Sequence, residues 1–153
     1  MPGKYFHVMR IERIVDAAAV HRAADLFDEP PLAAATEKFL THPDHHLLFA
    51  FQDERAVGMI SGVEMTHPDK GTEMFLYELG VAPDARLQGI GTALVRALAD
   101  VARGRGCYGM WVGTEQDNEA AQKTYRRAGA NEEEPFLLLS WDVTQDLSEP
   151  GQT

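Results

Sequence analysis

Residues 81–103 read V-A-P-D-A-R-L-Q-G-I-G-T-A-L-V-R-A-L-A-D-V-A-R, and this stretch decides how the rest of the chain is read. The residues leading into it, Met74 to Val81, are mostly apolar and predict a strand. From Thr92 to Arg103 the residues Leu94, Ala97, Leu98 and Val101 recur at i, i+3, i+4 and i+7, which is one buried stripe of a helix. Gly104 and Gly106 then stop it. Between strand and helix lies Arg86-Leu87-Gln88-Gly89-Ile90-Gly91. Glycine lets a backbone turn sharply and approach a ligand closely. The free N–H groups at the start of a helix attract an anion, each such interaction contributing about 0.3–1 kcal/mol. Several amides together with Arg86 would hold a diphosphate. Thr92-Ala93 after Gly91 does not match the Gly-Lys-Ser/Thr of a P-loop. Leu94 occupies the place of a dinucleotide fingerprint's third glycine. A glycine turn that only caps the helix stays open as the alternative.

Working outward, Cys107–Thr114 predicts a strand, Asn118–Ala128 a helix closed by Gly129, and Phe136–Val143 a final strand. Upstream, Tyr5–Ile14 predicts a first strand. Residues 16–27 predict a helix capped by Asp16, with Val20, Ala23, Ala24 and Phe27 on its apolar face, and Leu32–Leu40 a second helix after Pro30-Pro31. His46–Phe51 and Ala56–Met65 form a hairpin turning at 52–55, and residues 66–73 a loop. The mixture implies helices around one mixed sheet. At 153 residues the chain is read as one domain, 1–153, with a polar tail from about 144.

A net charge of −10 argues against nucleic acid as a partner and fits a cationic one. A lone cysteine, Cys107, excludes an intrachain disulfide and a cysteine-based zinc cluster. No apolar run approaches eighteen residues, so no membrane helix is expected. The first fifteen residues are charged throughout and lack the apolar core of a secretion signal, so a cytoplasmic location is expected.

Residues 118–129 read N-E-A-A-Q-K-T-Y-R-R-A-G. Asn118 and Tyr125 lie two turns apart on one helix face, with the small Ala121 between them. The R-x-x-G-x-G loop after a strand ending in Val, followed by N-x-x-A-x-x-x-Y-x-x-x-G, resembles the GCN5-related N-acetyltransferase (GNAT) family. That family's α/β sandwich has one mixed, largely antiparallel sheet flanked by helices. The resemblance covers roughly the second half of the chain and implies acetyl-CoA as cofactor. It implies that amides of Leu87, Gln88, Gly89, Ile90, Gly91 and Thr92 bind the pyrophosphate, with Arg86 beside them. Leu79, Gly80 and Val81 would pair with the pantetheine arm, Asn118 and Ala121 would line it, and Tyr125 would face the thioester sulfur. Within the family, residues 76–81 and 86–94 are similar to the aminoglycoside 3-N-acetyltransferases, which implies an aminoglycoside acceptor acetylated at its 3-amino group and a role in antibiotic resistance. Many members of the family are dimers, so a homodimer is a further expectation.

Acyl transfer to an amine needs the neutral amine. An amine of pKa about 10.4 is neutral about four times in ten thousand at pH 7, a penalty of roughly 4.6 kcal/mol. Glu78 is the first candidate base, on the same strand side as Leu76 and Gly80; a pairing carboxylate at a strand edge is the bland alternative. Tyr125 is the candidate donor to the departing thiolate, or else an aromatic packed on the sheet. The Val81 amide is the candidate donor to the thioester oxygen. Three acidic patches, Glu115, Asp117 and Glu119, then Glu132, Glu133 and Glu134, then Asp25, Asp28 and Glu29, would attract a polyamine or else are solvated faces. Asp25, Glu78, Glu115, Asp117 and Glu134 are the candidate substrate contacts, Asp117 doubling as a candidate helix cap. The segment His42-Pro43-Asp44-His45-His46 lacks helical ligand spacing, so no metal is expected; Trp111 and Cys107 are expected in the core. Acetylation of another small amine, a polyamine or a protein N-terminus is the alternative activity. A non-catalytic CoA-binding domain is the alternative of a different class.

Overall fold

The computed structural model describes residues 9–145. Its sheet has five strands in sequence order: β1 (Met9–Arg13), β2 (His45–Gln52), β3 (Arg55–His67), β4 (Gly71–Val81) and β5 (Met110–Trp111). The first four are antiparallel and β5 joins β4 in parallel, so the sheet is mixed and mostly antiparallel, as expected. Helices α1 (Ala17–Arg22), α2 (Ala33–Thr41), α3 (Ile90–Gly104) and α4 (Glu119–Arg127) complete it. Part of the expected first strand, residues 5–8, and the tail from 146 lie outside the described residues.

Side chains alternate along each strand, which divides the core into two layers. On β2, Leu48 and Ala50 join Val57, Ile60, Met74 and Leu76 beneath the Leu94–Leu98 stripe of α3. Leu47 and Phe49 face the other way and pack with Val20 of α1, Ile14 and Met59. Thus α1 and α2 cover one face of the sheet and α3 the other, with α4 packed against α3.

Several sequence expectations change. The helix from Asp16 stops at Arg22, although Asp16 caps it by accepting from the Ala18 N–H at 3.0 Å. A separate 3-10 turn, Ala24–Leu26, follows and directs the chain across the sheet toward β4. The loop at 66–73 shrinks to three residues because β3 and β4 run on to His67 and Gly71. The strand at Phe136–Val143 does not form. With β5 only two residues long, the sheet edge offers few ladder partners, and Phe136, Leu137, Leu138, Leu139, Trp141 and Val143 stand exposed. Gly109 and Gly113 punctuate the region expected as strand 107–114, of which only Met110–Trp111 pairs. Trp111 is likewise not core: it is 42% exposed and lies against Phe75, with ring centroids 4.4 Å apart. Cys107 is half-buried.

Candidate active site

Strand β4 changes phase once, and the site is built on that change. Ser61 pairs with Glu78 while Gly62 pairs with Leu76, so Tyr77 is an extra residue on β4. Met74 and Leu76 face the α3 layer before this bulge, and Leu79 and Val81 face it afterwards. The sequence placed Glu78 on the side of Leu76. The bulge corrects this: Glu78 stands on the opposite face from Leu76, with Gly80, under α1 and α2.

The same bulge lies where β4 loses its other neighbour. Strand β5 pairs only with Met74 and Phe75, leaving a gap beside residues 76–81 among the described residues. The Ala82 N–H donates to Val57 O on β3 at 2.8 Å. Alternation therefore turns the N–H groups of Leu79 and Val81 away from β3 and into the gap.

The loop after β4 is held at its base. Arg55 donates to both carboxylate oxygens of Asp84, at 2.9 and 2.7 Å, and holds that carboxyl below its usual range. Leu87 and Gly89 take left-handed backbone angles, φ 62° and 79°, and Gly89 caps α3. Space beside Gly89 is open, and the amides from Gly89 to Thr92 open the helix, where no carbonyl of the preceding turn can serve them. Arg86 is exposed and has no ion-pair partner among the described residues. Gly91 serves packing as well: a Cβ there would sit 3.2 Å from Thr124 Cγ2, so α3 and α4 approach through it.

Glu78 lines a cleft of roughly 220 Å³ between α1, α2 and the sheet, with Ser61 and Tyr77. Burial pushes its carboxyl above the usual range; the Asp28 N–H, 3.3 Å from Oε2, pulls it down, and the Asp28 carboxylate pushes it up again. Tyr125, on α4, lines a second and larger cavity, roughly 650 Å³, with Leu76, Met110 and Trp111. Burial raises its phenol above the usual value. The two candidate catalytic groups therefore flank β4 from opposite faces, and the gap beside residues 76–81 lies between them.

The remaining candidates are dispersed. Asn118 is the cap of α4, its Oδ1 accepting from the Ala121 N–H at 3.1 Å, so the capping role considered for Asp117 falls to its neighbour. Asp25, Glu115 and Asp117 are exposed and do not line the Glu78 cleft, and Glu134 lines the cavity of Tyr125. Within the histidine segment, His46 is a structural link. His46 is buried; its Nδ1 accepts from Arg13 at 2.6 Å and its Nε2 lies 2.6 Å from Glu64 Oε2, which also receives Arg105 Nε at 2.8 Å. Sequence reasoning missed this network, the bulge, and the part of Leu32, Thr36, Ser61 and Tyr77 in the cleft. Only the bulge left a readable trace, since the two-residue apolar period of 74 and 76 resumes at 79 and 81 rather than at 78.

The model of the acetyltransferase (GNAT) family matches residues 11–130. Among curated proteins, the probable N-acetyltransferase camello of Xenopus laevis is 36% identical over 90 residues, 56% of this chain and 40% of that protein. Aminoglycoside N(6')-acetyltransferase type 1 of Klebsiella aerogenes is 42% identical over 62 residues, 40% of this chain and 41% of that one. The chain thus spans less than half the length of these two relatives. Among solved structures, AAC(6')-Iy bound to the bisubstrate analogue CoA-S-monomethyl-acetylneamine superposes with a TM-score of 0.77, at 22% identity, over 88% of this chain and 98% of that one.

Proposed function

Because the chain belongs to the acetyltransferase (GNAT) family, we propose that it moves an acetyl group from acetyl-CoA to a primary amine, with Glu78 as the proton acceptor. The bulge at Tyr77 carries this reading, because it turns the Glu78 carboxylate into one cleft while the following residues open the strand edge.

The residues present suit acetyl-CoA. The open left-handed turn at Gly89 and the first amides of α3, with Arg86 beside them, fit a pyrophosphate. The outward N–H of Val81, next to that turn, fits an amide of a pantetheine arm, paired as an added strand would be. Ala121, small and on the half-buried face of α4, leaves room beside it, and the Asn118 cap fixes where that helix starts. When bound, the cofactor supplies an activated acetyl thioester.

Glu78 takes the proton of the arriving ammonium. Its raised pKa narrows the gap to the amine and makes it a better base than an ordinary carboxylate. The outward N–H of Leu79, farther from the pyrophosphate turn and beside Glu78, donates to the carbonyl oxygen where negative charge grows, in place of the Val81 amide. Tyr125, kept protonated by burial, donates to the departing sulfur. Thr36 and Ser61, both buried, orient the amine with their hydroxyls.

An aminoglycoside acceptor is favoured by one observation, the name of the Klebsiella aerogenes relative, which acts at the 6' position. Acetylation at a 3-amino group rests on the sequence likeness alone. Thiol release from acetyl-CoA, measured with kanamycin, spermidine, a lysine peptide and 2-phenylethylamine offered separately, tests the activity. Turnover of any of them that collapses in Glu78→Gln, with CoA affinity unchanged, supports the reading. CoA binding without turnover of any amine refutes it and leaves a binding domain.

A further inference from the structure

The cleft against Glu78 constrains the acceptor beyond its amino group. Its walls include Val20, Phe27, Leu32, Phe39, Leu40 and Leu47, and its polar groups are Thr36, Ser61, the Tyr77 hydroxyl and Glu78. Val20 and Leu47, 3% and 4% exposed, form its floor. Leu32 and Tyr77, each 71% exposed, stand at its mouth, where large apolar side chains facing water mark a surface that covers something. Among the described residues, Glu78 is the only carboxyl in the lining. Asp28 lies near it at the exposed rim, with Asp25 and Glu29 exposed on the same segment; Glu115 and Asp117 are exposed and outside the lining, and Glu134 lines the other cavity.

We infer that the acceptor is a primary amine carrying a single positive charge on an apolar body, of the alkylamine or arylalkylamine class, entering amine-first toward Glu78. This rests on the acetyl-transfer reading and narrows it. Inside the cleft a polycation would bring further ammonium groups against walls that, among the described residues, hold no carboxylate besides Glu78, and a buried charge without a partner is strongly disfavoured. At roughly 220 Å³ the cleft is also smaller than the ~300–1,000 Å³ sites that enclose drug-sized molecules. An apolar body gains from the same walls, since each unit of apolar surface removed from water is favourable. Ser61, Thr36 and Glu78 suffice for one amino group.

The test compares kcat/KM, by thiol release from acetyl-CoA, for 2-phenylethylamine, hexylamine, kanamycin, spermidine and a peptide with an N-terminal phenylalanine. The apolar monoamines are expected to exceed kanamycin and spermidine by about 100-fold. A second arm uses Ala35→Asp, which adds a carboxylate to the cleft wall in the first turn of α2, where a negative charge suits the helix. That variant is expected to lose about 10-fold for 2-phenylethylamine and to gain for spermidine, with CoA affinity unchanged. A misfolded variant would lose both. Faster turnover of kanamycin, spermidine or the peptide overturns the inference and leaves acetyl transfer standing. Failure of all five acceptors with acetyl-CoA bound overturns both.

Discussion

Replacing Gly80 with alanine is expected to loosen the acceptor cleft, the face of β4 toward which a Cβ there would point. A Cβ built on Gly80 falls well inside the 3.0 Å that such atoms keep from other heavy atoms, and the atom it meets is the backbone carbonyl oxygen of Leu26, which cannot swing aside as a side chain would. The turn Ala24–Leu26 must therefore lift off β4 by more than the few tenths of an ångström that flexible neighbours yield. Forcing extra volume into a packed contact costs about 1–3 kcal/mol, of which alanine in a strand returns roughly 0.5–1 kcal/mol. The net loss of up to about 2.5 kcal/mol lowers Tm by up to about 10 °C in a chain of this size. The same segment carries Phe27 and Leu32 to the cleft and presents the Asp28 N–H to Glu78, so its displacement raises the acceptor KM several-fold. The pyrophosphate turn at Gly89 lies outside the displaced contact, so acceptor KM is expected to change more than CoA affinity. Thermal melts and steady-state kinetics read both quantities. A wild-type Tm together with an unchanged acceptor KM would refute the contact and the positioning argument built on it.

Gly91→Ala presses on Thr124 Cγ2 at 3.2 Å, so CoA binding weakens several-fold by calorimetry, and adding Thr124→Ser, which deletes that methyl, restores it. Tyr125→Phe lowers kcat about 100-fold with Tm unchanged if the phenol donates to the sulfur, and an unchanged kcat would reduce Tyr125 to packing. For Glu64, burial alone would raise the carboxyl, but hydrogen bonds from His46 and Arg105 outweigh it and hold the pKa below the ordinary 4.5. A depressed folded pKa gives stability that is present above the ordinary value and lost as pH falls through the depressed one. Acid melts of the wild type should therefore weaken below about pH 4.5, while Glu64→Gln starts about 1–3 kcal/mol lower at pH 7 and shows a flatter acid slope.

The fold was legible where period and punctuation agreed. Leu94, Ala97, Leu98 and Val101 announce α3, and Leu94 and Leu98 are buried as that stripe requires. The alternation of Leu47 and Phe49 with Leu48 and Ala50 announces a strand covered on both faces. The segment 136–143 has equally apolar residues, but a strand also needs a neighbour's edge, and nothing in its own composition reports that β5 is two residues long. Glu78 was recognisable as a carboxylate on the right strand, yet its face depends on one inserted residue across from Ser61 and Gly62. The acidic patches illustrate the converse limit: Asp25, Glu115, Asp117 and Glu134 are readable as charges, and their failure to meet at the cleft is a tertiary fact. His46 appeared as part of a histidine-rich turn, and only its partners Arg13 and Glu64, from β1 and β3, make it a structural link.

The most direct test of proton transfer to Glu78 is the pH dependence of kcat/KM for the wild type and Glu78→Gln with one good amine acceptor. A base must be ionised to act, so the wild-type rate should rise with pH through an inflection above the ordinary glutamate value of 4.5, in the direction that burial shifts Glu78. Glu78→Gln should lose that inflection and fall about 10²–10⁴-fold in rate while keeping its CoA affinity. An identical profile in the two proteins, at similar rates, would contradict the assignment of Glu78 as the base.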